Sequence, residues 1–233
     1  MKQVLRFLHS LSLHNDRTWF EVHKTDYLKA KGTVAALAER LIAGIRSFDG
    51  SIGPLSVSDC TYRIYRDVRF SKDKSPYKTH IGIFVNRGGK KSGYSGYYFH
   101  IDGGGNHLLA VGNYFTEPRV LKVLREDIEL GGGDFRRILE GLAPGLALET
   151  ESALKKVPKG FPADSPDAEF FKLRNFCLVE NLDDSFILSQ DLADRLLAIF
   201  QTAKPFPTMS TGQSIIVARS GRNTFPVLTG IDK

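Results

Sequence analysis

Apolar residues recur every three or four positions in the first third of the chain, which is the spacing of amphipathic helices. A first helix is predicted from the apolar residues Val4, Leu5, Leu8 and Leu11. A second helix, with Asn15 and Asp16 as candidate N-terminal caps, places four side chains on one face: Trp19, Phe20, His23 and Tyr27. The longest period follows Gly32 and consists of Val34, Leu37, Ala38, Leu41, Ile42 and Ile45.

From Thr61 the pattern changes to short runs rich in β-branched and aromatic residues, which is typical of strands. The four candidate strands are Thr61–Phe70, Thr79–Asn86, Gly96–Asp102 and His107–Phe115. The segments between them are turn-like and too short to hold crossover helices. An antiparallel meander is therefore predicted.

Helical patterns return at 117–130 and 134–142, followed by a strand at 175–182 and a helix at 189–202. Together these elements predict an α+β fold, with the N-terminal and later helices packed on one face of a mainly antiparallel sheet. Residues 1–203 are expected to form a single domain. The C-terminal tail, residues 204–233, is expected to be extended or poorly ordered, with a packed edge strand as the alternative.

The composition agrees with a globular protein, since 42% of the 233 residues are hydrophobic and 25% are charged. The net charge of +6 is concentrated in one segment. Residues 60–91 contain nine basic and two acidic side chains and carry +7, which leaves −1 for the rest of the chain. An anionic partner is expected to meet that segment.

Several classes of protein are excluded. Two cysteines, Cys60 and Cys177, are too few for a disulfide framework or a cysteine-rich zinc site. The first 13 residues alternate polar and apolar positions and lack the apolar core of a signal peptide. No run approaches the ~18 apolar residues that a membrane helix needs. We expect a cytoplasmic protein without a membrane partner. The sequence does not indicate an oligomeric state.

The basic segment contains a dense run of arginine, aspartate and lysine between Arg63 and Tyr77. If its first half is a strand, alternation places Arg63, Asp67 and Arg69 on one face. Arg66 then lies on the other face among apolar neighbours. Guanidinium groups bind phosphate and carboxylate in a planar, two-pronged way and keep their charge, so such a cluster suits an anionic ligand.

A candidate anion-binding site follows, and its basic ligands are Arg63, Arg66, Arg69 and Lys74. Asp67 can orient the arginines or act as a general base. Lys74 and Tyr77 follow a turn and can close over the same site. The expected partner is a small phosphorylated or carboxylated molecule, bound by an enzyme or by a ligand-binding protein.

Two other interpretations stay open. The arginine–aspartate pattern also fits a structural network, in a domain whose function lies in a protein interface. Six of the eight tyrosines fall between residues 60 and 98, and rings interleaved with basic groups on a sheet are what single-stranded nucleic acid binding uses. A nucleic-acid-binding module on the same surface is therefore the alternative function.

Two histidines lie in the predicted strands. His80 is within the basic segment, and His100 follows it. The spacing His100-x-Asp102 is similar to the first two ligands of a facial iron triad, but no histidine follows His107 to complete it. No metal or cofactor is therefore predicted. Imidazole titrates near neutrality, so either histidine can act as an acid or base beside the arginines. The candidate catalytic residues are Asp67, Tyr77, His80 and His100.

The basic segment also resembles the signature of a bacterial family of conserved hypothetical proteins. The matching residues are Arg63, Arg66, Asp67, Arg69, Phe70, Asp73, Lys74 and Tyr77. Further similarity lies in the segments 16–21, 76–80, 96–100 and 154–161, so the resemblance extends over roughly residues 1–203. The family is defined as a domain of unknown function, so the resemblance assigns no activity.

Overall fold

Ten helices and five strands lie within residues 1–114, 116–131 and 133–210, the parts of the chain that the computed structural model describes. The helices are α1 (Lys2–Leu13), α2 (Arg17–Val22), α3 (Lys24–Phe48), α4 (Val57–Cys60), α5 (Pro118–Leu130), α6 (Asp134–Glu140), α7 (Ala168–Phe171), α8 (Asp184–Ile187), α9 (Leu192–Thr202) and α10 (Pro205–Ser210). The strands are β1 (His80–Asn86), β2 (Gly96–Asp102), β3 (His107–Asn113), β4 (Ala147–Leu148) and β5 (Phe176–Leu182). None of these helices has both the length and the hydropathy needed to cross a membrane.

The N-terminal helices follow the predicted periods, with one difference in their bounds. Asp16 caps α2 as predicted, because its carboxylate accepts the Trp19 backbone N–H at 2.9 Å. The predicted second helix with Trp19, His23 and Tyr27 on one face is wrong, because α2 ends at Val22 and Tyr27 lies in α3, which also runs through Gly32. A glycine inside a helix costs about 1 kcal/mol. Burial of Ala30 and Val34 on either side of Gly32 outweighs that cost.

The sheet has the strand order β1-β2-β3-β5-β4, and every neighbouring pair is antiparallel. The first three strands form the predicted meander, in which Phe99 lies opposite both Ile83 and Leu109. β5 returns from later in the chain to pair with β3. Helices combined with an antiparallel sheet confirm the predicted α+β class.

Residues 61–70 do not form the predicted strand. They make two isolated bridges instead, one between Thr61 and Ile83 and one between Tyr65 and Tyr77. Beyond Tyr65 the polar side chains bond to their own loop, and local bonds of this kind compete with a strand ladder. The segment therefore touches the edge of the sheet beside β1 and then leaves it as a loop.

One face of the sheet is covered by helices and the other is half-exposed. Along β2 every second side chain is buried, namely Tyr97, Phe99 and Ile101. On the covered side the Tyr97 ring contacts Phe48 of α3 and Phe200 of α9, with centroids 5.9 and 5.4 Å apart. Such alternation is typical of an antiparallel sheet with one solvated face. We call the half-exposed side the outer sheet face, and it carries His80, Phe84, Tyr98, His100 and Asp102.

The packed part of the chain continues into the predicted tail. Residues Pro205–Ser210 form α10. Phe206 is almost fully buried, with its ring centroid 6.0 Å from that of Phe135 in α6. Burying an aromatic side chain contributes about 1.5–3 kcal/mol, which explains why this part of the tail is packed rather than extended. The rest of the predicted tail, residues 211–233, lies outside the described residues.

Candidate functional site

The basic signature forms a loop whose two ends are joined. Backbone hydrogen bonds of 2.9 and 2.8 Å flank the bridge between Tyr65 and Tyr77 and close the loop at its base. We call residues 66–76 the signature loop. Because β1 begins at His80, the loop stands directly beside the edge of the sheet.

Arg66 points into the signature loop and braces it. Its guanidinium pairs with the Asp73 carboxylate and donates to the Ser75 carbonyl at 3.2 Å and the Ser71 hydroxyl at 3.4 Å. Asp73 also accepts the Ser75 backbone N–H and hydroxyl at 2.9 and 2.7 Å. The hydrogen bonds from Ser75, together with those from Arg66, hold the pKa of Asp73 well below its usual range. Arg66 therefore fixes the shape of the loop.

Asp67 holds Arg69 in a two-pronged ion pair. Arg69 Nε lies 2.9 Å from one carboxylate oxygen, and Nη2 lies 2.6 Å from the other. These hydrogen bonds lower the pKa of Asp67 to about 2, so the carboxylate is ionised at neutral pH and is a weak base. The geometry favours the orienting role of Asp67 over general base catalysis.

Three further cations lie in the loop or just before it. Arg63 is exposed and has no hydrogen-bond or ion-pair partner in the described part of the chain, yet its charge also contributes to the low pKa of Asp67. Lys74 Nζ donates to the Val68 carbonyl at 3.0 Å and stays exposed. Lys72 is exposed too and was not among the predicted ligands, although it lies in the same basic run. We call Arg63, Arg69, Lys72 and Lys74 the loop cations.

Tyr77 anchors the base of the signature loop in the core. Its side chain is 3% exposed, and its ring stacks on Phe20 of α2 with centroids 4.0 Å apart. The Asn15 side chain accepts the Tyr77 N–H at 3.1 Å and donates to the Tyr77 carbonyl at 2.9 Å. Burial raises the pKa of Tyr77. Asn15, predicted as a helix cap, therefore connects the N-terminal helices to the loop.

His80 and His100 lie together on the outer sheet face, with ring centroids 5.1 Å apart. His100 Nε2 donates to the Asn106 carbonyl at 2.7 Å, which leaves Nδ1 to accept the Tyr98 hydroxyl at 3.1 Å. In the described residues neither imidazole bonds to the three signature arginines. The structure thus brings the two histidines to each other rather than to the arginines.

We expect this histidine pair to make the protein less stable in mild acid. Burial lowers the pKa of both His80 and His100 below the ordinary value of 6.5. From about pH 6.5 down to the lowered values, the unfolded chain takes up protons that the folded chain does not. The stabilisation is therefore complete above pH 6.5 and is lost as the pH falls through this window. Urea denaturation at a series of pH values between about 8 and 5 measures it.

The double variant His80→Gln, His100→Gln separates titration from packing. Lost packing and the lost bond to Asn106 shift the free energy of unfolding by a similar amount at every pH. Loss of the titrating groups makes the pH dependence shallower below the ordinary histidine pKa. A curve that stays parallel to the wild-type curve would contradict the prediction.

Tyr62 extends the outer sheet face beside β1. Its ring centroid lies 5.5 Å from Lys78 Nζ and 5.9 Å from Lys90 Nζ, distances at which a cation is attracted to a ring. Phe84 and Tyr98 contact each other on the same face, with centroids 6.2 Å apart. Rings and cations therefore adjoin on this face. The enrichment in tyrosine predicted rings close to basic groups, but it did not identify Lys78 and Lys90 as the lysines beside Tyr62.

Other chemistries have few groups to use. Burial raises the pKa of Cys60 to about 11 and that of Cys177 to about 12, so neither thiol ionises near neutral pH. Within the described ranges, no group of three or more His, Cys, Asp or Glu side chains is arranged to hold a metal ion. The loop cations and the outer sheet face are the candidate ligand surfaces.

Comparisons with known proteins agree with the resemblance seen in the sequence. One family model, described as conserved hypothetical protein (DUF2461), matches residues 3–209. That range contains the signature loop and the outer sheet face, and it continues almost to the end of α10. No curated protein and no solved structure matches the chain. Because the family model covers nearly the whole described structure, the chain belongs to the DUF2461 family of conserved hypothetical proteins.

Proposed function

We propose that the protein binds a phosphate-bearing ligand through the loop cations. The observation that carries this proposal is that both carboxylates of the signature loop already face arginines inside the loop. Five basic and two acidic side chains lie between Arg63 and Lys74, so a charge of +3 is left to meet a ligand. Such a concentration of cations attracts a partner with more than one negative charge.

Arg69 is held ready to bind a phosphate oxygen. Asp67 engages Nε and Nη2 and so keeps the planar guanidinium in one orientation. Nη1 has no hydrogen bond to the described residues and the side chain is 74% exposed, so Nη1 can donate outward. Bonds from guanidinium to phosphate are charge-assisted and strong. Fixing the side chain before the ligand arrives also reduces the entropy lost on binding.

The presence of the loop cations is not explained by a contribution to the stability of the fold. Exposed ion pairs contribute only ~0–1 kcal/mol, and like charges held close together oppose folding. Arg66 differs, because it is half-buried and its bonds stay inside the loop. The structural interpretation therefore suits Arg66 and Asp73, and the binding interpretation suits the exposed cations.

We propose binding without assigning a reaction, because the candidate catalytic groups are paired within the loop, buried, or on the outer sheet face. Asp67 is occupied by Arg69. Tyr77 is buried, with a raised pKa. The two histidines lie on the outer sheet face.

Removing two loop cations should weaken the binding of a phosphate polymer. We expect the double variant Arg69→Gln, Lys74→Gln to bind inorganic polyphosphate at least about tenfold more weakly than the wild type. By analogy with nucleic acids, each phosphate contact adds roughly 0.7–0.9 to the slope of log affinity against log salt, so the slope should fall by about 1.5. Titration calorimetry at several salt concentrations measures both quantities.

A matched double variant removes the same charge elsewhere. Arg46→Gln, Lys159→Gln alters two exposed side chains outside the basic segment, and its affinity and salt slope should stay close to the wild-type values. Equal weakening in the two double variants would show that net charge alone drives binding. That outcome, or a wild-type protein that does not bind polyphosphate, would refute the site.

A further inference from the structure

Phe70 differs from the other aromatic residues of the signature loop region because it is 91% exposed. Large apolar side chains are stabilised by burial, and this one is left in water. Single exposed apolar residues are common on protein surfaces, so exposure alone assigns no role. What matters is how the loop holds the ring and what surrounds it.

The loop presents the Phe70 ring outward. On one side Arg69 is fixed by Asp67, and its guanidinium carbon lies 5.8 Å from the ring centroid. On the other side the Ser71 backbone N–H donates to the Val68 carbonyl at 3.4 Å. Both neighbours of Phe70 are thus tied to the loop, which opposes folding of the ring back onto the core.

We infer that the phosphate-bearing ligand is a single-stranded nucleic acid, with an unpaired base stacked on Phe70 and adjacent phosphates bound by Arg69 and Lys72. This inference rests on the proposed function. Single strands alternate flat bases with phosphates, and proteins bind them with rings set among cations. The signature loop has that order, since the ring follows one loop cation and precedes two others within residues 69–74. A ligand that carried phosphates alone would leave the ring unused.

A second ring, that of Tyr62, lies close to the base of the signature loop. The signature loop begins four residues after Tyr62 and ends two residues before Lys78. Four residues span at most ~14 Å, so the loop base is close to the contact between the Tyr62 ring and Lys78 Nζ. A bound strand that passes the loop base can therefore meet the Tyr62 ring and the lysines beside it.

The surroundings of Phe70 favour a single strand over a membrane or a duplex. Membrane binding grows with the apolar area inserted, and the loop offers one ring with exposed charged residues on both sides. In a duplex the bases already stack on one another, so an exposed ring gains no base. An unpaired base has a free face for the ring.

The test compares strands with and without bases. Fluorescence anisotropy measures binding of a labelled 12-nucleotide DNA of mixed sequence, as a single strand and as a duplex. It also measures binding of an abasic 12-mer with the same number of phosphates. We expect Phe70→Ala to weaken binding of the mixed strand about 5- to 150-fold, the factor for one stacked base. The affinity of Phe70→Ala for the abasic strand and for polyphosphate should stay unchanged. Phe70→Trp, which keeps an aromatic ring, should retain the preference for strands with bases.

The control variant is Leu130→Ala, which shortens another exposed apolar side chain, 75% exposed in α5. It should leave the affinities for the mixed strand, the abasic strand and polyphosphate unchanged. Neither alanine substitution should move the unfolding midpoint. Equal binding of mixed and abasic strands, equal binding of duplex and single strand, or an unchanged affinity in Phe70→Ala would overturn the nucleic acid inference. The phosphate proposal would survive these outcomes if polyphosphate binding still depended on Arg69 and Lys74.

Binding to a membrane would give a different result. Vesicles of phosphatidylcholine and phosphatidylserine bound in a Phe70-dependent way, without any preference for bases in the oligonucleotide assay, would replace the nucleic acid by a lipid surface. Failure of wild-type protein to bind polyphosphate would remove both the inference and the proposed function.

Discussion

Replacing Phe20 with alanine is expected to lower the free energy of unfolding by about 3–5 kcal/mol, the range for a buried phenylalanine. Its side chain is 1% exposed, and its ring centroid lies 4.0 Å from that of Tyr77, 5.1 Å from that of Tyr27 and 6.3 Å from that of Phe7. Phe20 therefore joins α1, α2, α3 and the base of the signature loop. Alanine would leave a cavity between them. Urea denaturation measures the loss.

A control on the same helix is Val22→Ala, since Val22 is 77% exposed. It should change the free energy of unfolding by less than about 0.5 kcal/mol. The polyphosphate affinity of Phe20→Ala, measured where the variant is still folded, should also fall because Tyr77 loses its stacking partner. A stability loss below about 1 kcal/mol would show that α2 does not pack against the loop base as described.

Gly103→Ala is the second substitution with a large expected effect. A β-carbon at Gly103 would lie 2.3 Å from the Leu8 carbonyl oxygen and 2.9 Å from the His9 nitrogen, both backbone atoms of α1. Backbone in a helix cannot rotate away as a side chain can, so α1 would have to shift from the sheet. We expect a loss of about 1–3 kcal/mol or more. Thermal unfolding should show a midpoint lowered by roughly 2–4 °C per kcal/mol.

The neighbouring glycine supplies the control. At Gly104 the nearest atoms to an added β-carbon are the ends of the Asp102 and Asn106 side chains, at 3.0 and 3.5 Å. Because flexible side chains can yield, Gly104→Ala should cost less than Gly103→Ala. Equal effects would mean that the turn, rather than its contact with α1, sets the need for glycine.

Local patterns were sufficient to predict most of the long helices and the meander of β1, β2 and β3. The period from Val34 to Ile45 lies within α3, and its apolar residues are buried. The turns between the candidate strands are short, and this alone implied antiparallel pairing. The break between α2 and α3 at His23 was missed because the apolar period from Trp19 to Tyr27 continues across it.

Contacts between distant segments could not be predicted. Gly103 lies in one of the predicted turn-like segments between strands, but it has to be small because α1 approaches it. Tyr77 was placed in the binding site, whereas Asn15 and Phe20 hold it in the core. No local signal in the residues around Tyr77 identifies these partners.

The candidate site shows the same limit within one short segment. Residue type alone does not distinguish Arg66, which braces the loop, from Arg69, which is exposed. The alternation from Arg63 to Phe70 predicted a strand, and that prediction was wrong because the aspartates bond within the loop. The pairing of Asp67 with Arg69 follows from proximity in sequence, and it agrees with the predicted orienting role.

The bridge between Thr61 and Ile83 of β1 has a consequence for how the sheet meets other chains. β1 is the terminal strand on one side, and an unpaired edge is a template on which another polypeptide can add a strand. The bridge between Thr61 and Ile83 places the chain just before the signature over part of that edge. On the opposite side the sheet ends in β4, which is only two residues long. The chain that leads into the signature loop therefore occupies part of this edge, which opposes the addition of a strand there.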